Sequence, residues 1–376
     1  MIIRLLPFLL LLPLAPWPLS ARGPQAPPAA PAAVSQPAPA GATARPLNVI
    51  LIVADDLYWK IGAYGHAPVR TPHLDRLAAR GRRFDAAYNQ YPLCNPSRTS
   101  LMTGWRPERT RVWGNADPPR PLIGSAVPLQ ELFAARGYYT ARVGKIFHGP
   151  FETQFRWDLS EDPPELPAGV VSDDEEFSAR IIPTAGDDAG EPDGRTARRA
   201  AQVIEQNRER PFFVAVGFLR PHGPWMAPRR YFDMYPPAQV TLPAPPRADL
   251  DDVPRVALKR GAEPDIPAGR SREALAAYYA CITFMDAQLG VVLDTLDRLS
   301  LWDSTVVVFV SDHGIQRGEH GLWRKNVLFE ESARVPLIVA APQVRRPGTA
   351  AAGLVELIDV YPTVADLAGV PPPSPL

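Results

Sequence analysis

The chain has 376 residues, and its 40 Lys and Arg are balanced by 40 Asp and Glu, so the formal net charge is +0. This length suffices for one large domain or two small ones with a dry core. The charge balance argues against a nucleic-acid-binding protein and against a polybasic membrane-binding protein. Function must therefore come from local clusters of charge.

The N-terminal segments are predicted to lie outside the fold. Residues 1–21 are typical of a secretory signal, with Arg4 followed by a short apolar run that is interrupted by prolines. This predicts an exported protein, periplasmic or extracellular, without a stable membrane anchor. Residues 22–46 are almost entirely Pro, Ala, Gly, Ser and Gln, a composition typical of a disordered linker. The folded domain is predicted over residues 47–376.

The first predicted strand, residues 48–54, is a continuous apolar run rich in β-branched residues. Such a run is typical of a strand buried on both faces of a parallel sheet. It ends in Asp55 and Asp56, at the carboxyl edge where open α/β sheets bind ligands. Two adjacent buried carboxylates repel each other unless a cation or an Arg lies between them. The position favours a ligand site over a solvated turn.

The chain is organised around the segment from Leu93 to Gly104, LCNPSRTSLMTG. Cys94 stands just ahead of a Pro that suits the first turn of a helix, and Arg98 returns to the same face one turn later. A reactive side chain at a helix N-terminus, with an Arg beside it, predicts a site for an anionic tetrahedral group. The alternatives are a buried structural Cys and a disulfide between Cys94 and Cys281, the two cysteines of the chain.

Further strands are each followed by polar residues at the same predicted sheet edge. They are strand 138–143 with Lys145 and His148, strand 211–218 with His222, and strand 305–310 with Asp312 and His313. His222 stands between two prolines, and a rigid turn favours a positioned acid or base over a mobile surface group. Asp312 and His313 would join the first acidic pair around a cation.

Amphipathic helices alternate with these strands, and long polar segments interrupt them. Helices are predicted at 71–81, 127–137, 196–209, 271–299 and 357–367, a further strand at 336–340, and long surface loops at 152–195 and 236–270. Strands that alternate with helices predict an α/β/α sandwich around a mostly parallel sheet.

The motif Cys94-x-Pro96-Ser97-Arg98 resembles the signature of the sulfatase family, in which this Cys is converted after translation to formylglycine. The remaining motifs follow in the family's order from about residue 47 to 373, and His313 resembles the iduronate-2-sulfatase-like branch. The resemblance implies an alkaline-phosphatase-like fold for residues 47–376. The small C-terminal subdomain usual in the family is expected to be missing.

The resemblance also implies the roles of individual residues. The implied catalytic residues are Cys94, Arg98, Lys145, His148, His222 and Lys325, with Arg98 stabilising the developing negative charge. One divalent metal is implied at Asp55, Asp56, Cys94, Asp312 and His313. Ca²⁺ is expected, and Mg²⁺ or Mn²⁺ are the alternatives because a His ligand is unusual for Ca²⁺.

The function implied is hydrolysis of a sulfate monoester on a sulfated small molecule or carbohydrate, with a sugar of the uronate 2-sulfate type expected. A formylglycine-generating enzyme is the implied maturation partner, and no nucleic acid is expected. Two alternatives stay open: a phosphomonoester or phosphonate hydrolase on the same fold, and a non-catalytic protein that binds sulfated glycans.

Overall fold

We describe residues 46–162, 166, 180–246, 248–258 and 267–373 of a computed structural model. The predicted signal and residues 22–45 of the predicted linker lie outside the described residues. The strands are β1 Asn48–Asp55, β2 Arg82–Tyr88, β3 Tyr139–Gly144, β4 Leu159–Glu161, β5 Ile181–Thr184, β6 Phe212–Pro221, β7 Trp225–Pro228, β8 Thr305–Ser311, β9 Leu337–Ala340 and β10 Thr349–Glu356. The helices are α1 Pro72–Arg80, α2 Cys94–Thr103, α3 Pro107–Thr110, α4 Pro119–Ile123, α5 Leu129–Ala134, α6 Pro192–Asn207, α7 Arg229–Phe232, α8 Ala268–Arg298, α9 Glu330–Ala333 and α10 Val360–Leu367.

Eight strands form one sheet in the order β10-β2-β9-β8-β1-β6-β3-β4. β9 runs antiparallel to both of its neighbours, and the other pairs are parallel. β1 and β8 are buried along their whole length, as their apolar sequences require. β5 and β7 form a separate parallel pair. The predicted mostly parallel sheet is confirmed, with β9 as its one reversed strand among the described residues.

Helices cover both faces of the sheet, and β1 shows the two cores in its alternating side chains. Ile50 and Ile52 pack in the core formed with α1, α6 and α8. Val49, Leu51 and Val53 pack in the opposite core, formed with α2, α5 and α10. The predicted α/β/α sandwich is therefore confirmed.

Helix α8 is the longest in the described part of the chain. It has the length and apolar composition of a membrane-crossing helix, but 89% of its most apolar window is buried inside the protein. Cys281 lies within it as a fully buried free thiol. The helix is thus a core element, and it packs most extensively on α6.

The structure departs from the predictions where apolar periodicity is weak. β2 and β10 were not predicted, because RRFDAAY carries three charged residues and half of TAAAGLVE is Ala or Gly, which are depleted in strands. The surface loop predicted over residues 152–195 is wrong in its described parts. Glu152 is 2% exposed, β4 and β5 belong to this segment, and α6 begins at Pro192 instead of residue 196. Proline at the first helical position explains this earlier start.

Helix α1 takes its N-terminal cap from another helix. Thr71 occupies the N-cap position, but its hydroxyl accepts a hydrogen bond from the amide of Gly62 at 3.0 Å. The free amides of His73 and Leu74 instead donate to the carboxylate of Asp286, at 3.0 and 2.8 Å. The buried carboxylate of Asp286 in α8 therefore caps α1 in place of a local N-cap side chain.

Candidate active site

The predicted site residues converge at the carboxyl edge of four adjacent strands. β8, β1, β6 and β3 lie side by side and end at this edge, and α2 begins beside it. Asp55, Asp56, Cys94, Arg98, Lys145, Asp312, His313 and Lys325 are joined there by direct side-chain contacts. The outermost of these residues, Asp55 and Lys325, are 270 positions apart in the sequence, so the parallel sheet is what brings them together.

Asp55 is the anionic centre of one half of the cluster. Its carboxylate lies 3.2 Å from Arg98 Nη2 and 2.5 Å from Lys145 Nζ. Burial by itself would raise the pKa of Asp55, but Lys145 and Arg98 hold this pKa well below its usual value. Asp55 is therefore ionised at neutral pH and available to a cation.

Asp56 is the anionic centre of the other half. Its backbone adopts a left-handed conformation with φ +64°, which turns the chain sharply after β1. Its carboxylate lies 2.9 Å from Lys325 Nζ, 3.3 Å from His313 Nε2 and 3.8 Å from His222 Nε2. Burial opposes ionisation, but Lys325 and His222 hold the pKa of Asp56 below its usual value. The two neighbouring carboxylates are thus in contact with different basic side chains.

Arg98 connects three elements from a fully buried position. Its Nε donates to Asp312 Oδ2 at 2.7 Å, and its Nη2 donates to Asp55. Its Nη1 donates to the carbonyls of Lys145 and Ile146, at 2.7 and 3.2 Å. These bonds show that the guanidinium holds both carboxylates, and the predicted stabilisation of developing negative charge by Arg98 stays a prediction.

Cys94 is the first residue of α2, with no exposed surface. Its Sγ lies 3.3 Å from His313 Nε2 and 3.6 Å from Lys325 Nζ. Burial would raise the pKa of the thiol, but Lys145 and Lys325 lower it to about 6. Both Cys94 and Cys281 are free, so the disulfide alternative is wrong.

The cluster fits a divalent cation by the chemistry of its donors. Ligand atoms of Asp55, Cys94 and Asp312 lie within 4.8 Å of one another, and those of Asp56, Cys94 and His313 do the same. Carboxylate oxygens suit hard cations. Nδ1 of His313 contacts the carbonyl of Gly314 at 2.9 Å, which leaves Nε2 directed at the cluster. Burial would lower the pKa of His313, but Asp312 and Cys94 raise it to about 10, so cation binding at Nε2 would release a proton.

His148 and His222 lie in the wall of a cavity of about 320 Å³ that reaches the cluster. Asp55, Lys145, Glu152 and Arg220 also line it. His222 is 4% exposed, and its Nδ1 contacts the carbonyl of Gly223 at 2.7 Å. Nε2 therefore faces Asp56 and the cluster. Both histidines predicted from the sequence are accordingly placed beside the other site residues.

Two glycines allow the turn that carries Lys145 to close onto β6. A Cβ atom on Gly217 would lie 2.0 Å from the carbonyl oxygen of Lys145, and one on Gly144 would lie 2.1 Å from the carbonyl oxygen of Gly217. Neither gap admits a methyl group. Gly217 was not predicted as a site residue, and its one sequence signal is that it interrupts the apolar strand run.

Supporting residues around the site were also missed. Glu152 accepts a hydrogen bond from the amide of Ile146 at 2.6 Å, and Asp193 accepts from the amides of Leu219 and Arg220. Both acids are almost fully buried, although they lie in segments whose local sequence is polar. No short motif contains them, so only the fold reveals their role.

The sequence profile of the sulfatase family matches residues 47–370. The chain belongs to the sulfatase family. Iduronate 2-sulfatase of Homo sapiens is 32% identical in an alignment of 399 positions that covers 90% of this sulfatase and 72% of the human protein. Choline-sulfatase of Rhizobium meliloti is 35% identical in an alignment of 352 positions that covers 86% of this chain and 68% of that protein.

Solved structures show the same architecture for the sulfatase. The phosphonate monoester hydrolase of Agrobacterium radiobacter superimposes with a TM-score of 0.74 at 24% identity, covering 87% of this chain and 74% of that one. The fold is thus the alkaline-phosphatase-like α/β fold. The predictions of family, fold and enzyme class are confirmed, and the protein is a sulfuric ester hydrolase.

Proposed function

We propose that this sulfatase hydrolyses a sulfate monoester on a sugar of the uronate 2-sulfate type, after conversion of Cys94 to formylglycine. The observation that carries the reaction is the setting of Cys94, whose Sγ lies 3.7 Å from Asp55 and 3.6 Å from Lys325. The 32% identity to iduronate 2-sulfatase and the presence of His313 support the sugar class. The apolar run in residues 1–21 supports export.

The metal would be held by Asp55, Asp56, Asp312 and His313 together with position 94. Three of these four side chains are carboxylates, so Ca²⁺ is the first choice. When present, the formylglycine hydrate supplies the attacking hydroxyl, and the metal supplies positive charge beside the sulfate oxygens. Arg98 orients Asp55 and Asp312 through its hydrogen bonds and favours the ionised form of each.

Lys145 and Lys325 bind the sulfate group. Lys145 Nζ contacts Asp55, and Lys325 Nζ contacts Asp56 and lies 3.6 Å from Cys94 Sγ. Both ammonium groups thus place positive charge close to position 94, where it attracts the sulfate group. Negative charge that develops on the sulfate oxygens is stabilised by groups already in place, with no reorganisation.

The histidines move the protons. Nε2 of His222 faces the cluster and gives its proton to the leaving alcohol oxygen as the ester S–O bond breaks. His148 lines the same cavity and is the base that accepts a proton from position 94, which releases sulfate. Acid and base are thus separate residues in the two steps of the hydrolysis.

Conversion of Cys94 is tested directly by mass spectrometry of the tryptic peptide Phe84–Arg98, from protein made in a host with an active maturation enzyme. The expected peptide has exchanged one sulfur and two hydrogens for one oxygen. An unmodified thiol, when the same host matures a control sulfatase, would contradict the proposal and favour the glycan-binding alternative.

Activity is tested with a 2-sulfated uronate disaccharide, 4-nitrophenyl sulfate, and the matching phosphate and phosphonate esters. The Cys94→Ala variant is expected to lose activity at least about a thousandfold, because it lacks the nucleophile. Cys281→Ala is the matched control, since Cys281 is equally buried but lies in the α8 core. Preferred turnover of the phosphate or phosphonate esters would overturn the assignment to sulfated sugars.

A further inference from the structure

The turn that carries His222 is fixed from outside by an acidic residue of another element. Asp193 is the second residue of α6 and is 1% exposed. Its two carboxylate oxygens accept hydrogen bonds from the amides of Leu219 and Arg220, at 2.8 and 2.9 Å. These amides belong to the end of β6, where the chain leaves the sheet to reach His222. One carboxylate therefore sets the direction in which the turn departs.

Arg220 fixes the same turn from inside. The side chain is 2% exposed, its Nη1 donates to the carbonyl of His222 at 2.7 Å, and its Nε donates to the carbonyl of Met226 at 3.0 Å. It thus joins the middle of the turn to the strand that follows it. Burial raises the pKa of Asp193 to about 6, and the positive charge of Arg220 opposes this rise.

We infer that Asp193 and Arg220 are positioning residues that hold Nε2 of His222 at the reacting centre and thereby determine proton donation to the leaving oxygen. The inference rests on the proposed function, in which His222 is the proton donor. The hydrogen bonds of Asp193 given above all go to the backbone of the turn, so its effect on His222 must pass through that backbone. Arg220 also lines the cavity, but its hydrogen bonds go to the backbone carbonyls of His222 and Met226.

This role predicts a dependence on the leaving group. When the S–O bond breaks, its electron pair goes to the leaving oxygen, which takes the proton from Nε2 of His222. Nitrophenolate leaves readily without that proton, whereas phenolate is more basic and needs it. Displacement of His222 should therefore slow phenyl sulfate more than 4-nitrophenyl sulfate, two substrates of nearly equal size. A loss of folded protein would slow both by the same factor.

The experiment measures kcat/KM for both esters with matured full-length protein. Asp193→Asn and Arg220→Met are expected to lose about tenfold more activity on phenyl sulfate than on 4-nitrophenyl sulfate. Arg220→Lys, which keeps the charge, should recover part of this difference. Asp188→Asn is the matched control, because Asp188 precedes the same helix but binds Tyr231 and Gln288, and its ratio between the two esters should not change.

A second measurement uses the His222→Ala background. There, Asp193→Asn should change the ratio between the esters no further, because the group that it positions is gone. If Asp193→Asn and Arg220→Met lost activity equally on both esters, or if Asp193→Asn changed the ratio further in the His222→Ala background, the inference would be overturned. The wild type would still be an active sulfatase in either case. A wild type that hydrolyses neither sulfate ester would overturn the proposed function, and this inference with it.

Discussion

Replacing Arg98 with methionine tests whether the buried cation supports the carboxylate cluster. The substitution keeps an unbranched side chain but removes the charge and the bonds to Asp55, Asp312 and two carbonyls. Both carboxylates are then buried with one cation fewer. Breaking a buried ion pair from one side costs about 3–5 kcal/mol. That is a large part of the roughly 5–15 kcal/mol by which such domains are stable.

The assay is urea unfolding followed by tryptophan fluorescence in the presence of EDTA. With a slope of about 3 kcal/mol per molar urea, the midpoint should fall by about 1 M or more. Arg106→Met is the matched control, because Arg106 pairs with Glu356 on the surface and its side chain is 54% exposed. An exposed pair contributes about 1 kcal/mol at most. Similar midpoints for Arg98→Met and Arg106→Met would refute the reasoning.

Gly217→Ala should lower kcat/KM roughly a hundredfold, because the new methyl group displaces the backbone of Lys145. Gly353→Ala is the control in the same kinetic assay and should leave kcat/KM unchanged, because the space around its Cβ is open. Asp286→Asn should change how stability depends on pH. Burial raises the pKa of Asp286 from 3.8 to about 7. The folded chain therefore binds the proton of Asp286 more tightly than the unfolded chain does. This proton stabilises the fold fully at pH values below the unfolded-state pKa of 3.8, and the stabilisation is lost as pH rises through 7. Relative to the Asn variant, the wild type should lose up to roughly 4 kcal/mol of unfolding free energy between about pH 4 and pH 8, measured by urea titrations. A pH-independent difference would contradict this.

The central strands and the catalytic motifs were predictable because their information is local. The apolar run before Asp55 and the one before Asp312 identify buried parallel strands, and both acids follow directly at the sheet edge. The Cys94 motif carries its helix start and its Arg within five residues. For such residues, the sequence and the carboxyl-edge rule together predict the site.

Residues whose role depends on a distant partner could not be predicted. Thr71 has the residue type and position of a helix N-cap. The carboxylate that caps α1 nevertheless belongs to Asp286, 215 positions later in the sequence. Asp193 and Glu152 lie in polar segments, where ionised side chains are normally solvated. Asp193 is buried where α6 packs on β6, and Glu152 is buried beside Arg142 of β3, and periodicity encodes neither contact. β10 pairs along β2, but most of its residues are exposed, including Leu354, so no core-facing apolar pattern marks the strand.

The distance along the chain between Cys94 and its partners determines how long Cys94 stays accessible during synthesis. A side chain with no exposed surface cannot enter the active site of another enzyme, so any covalent conversion of Cys94 must precede closure of the cluster. His313 and Lys325 are separated from it by 219 and 231 positions. At roughly 5–20 residues per second, the ribosome needs about 10–45 s to reach them. During that interval the Cys94 segment lacks the strand and loop that later enclose it. A variant whose N-terminal half collapsed early would shorten this interval and yield more protein with an unmodified thiol.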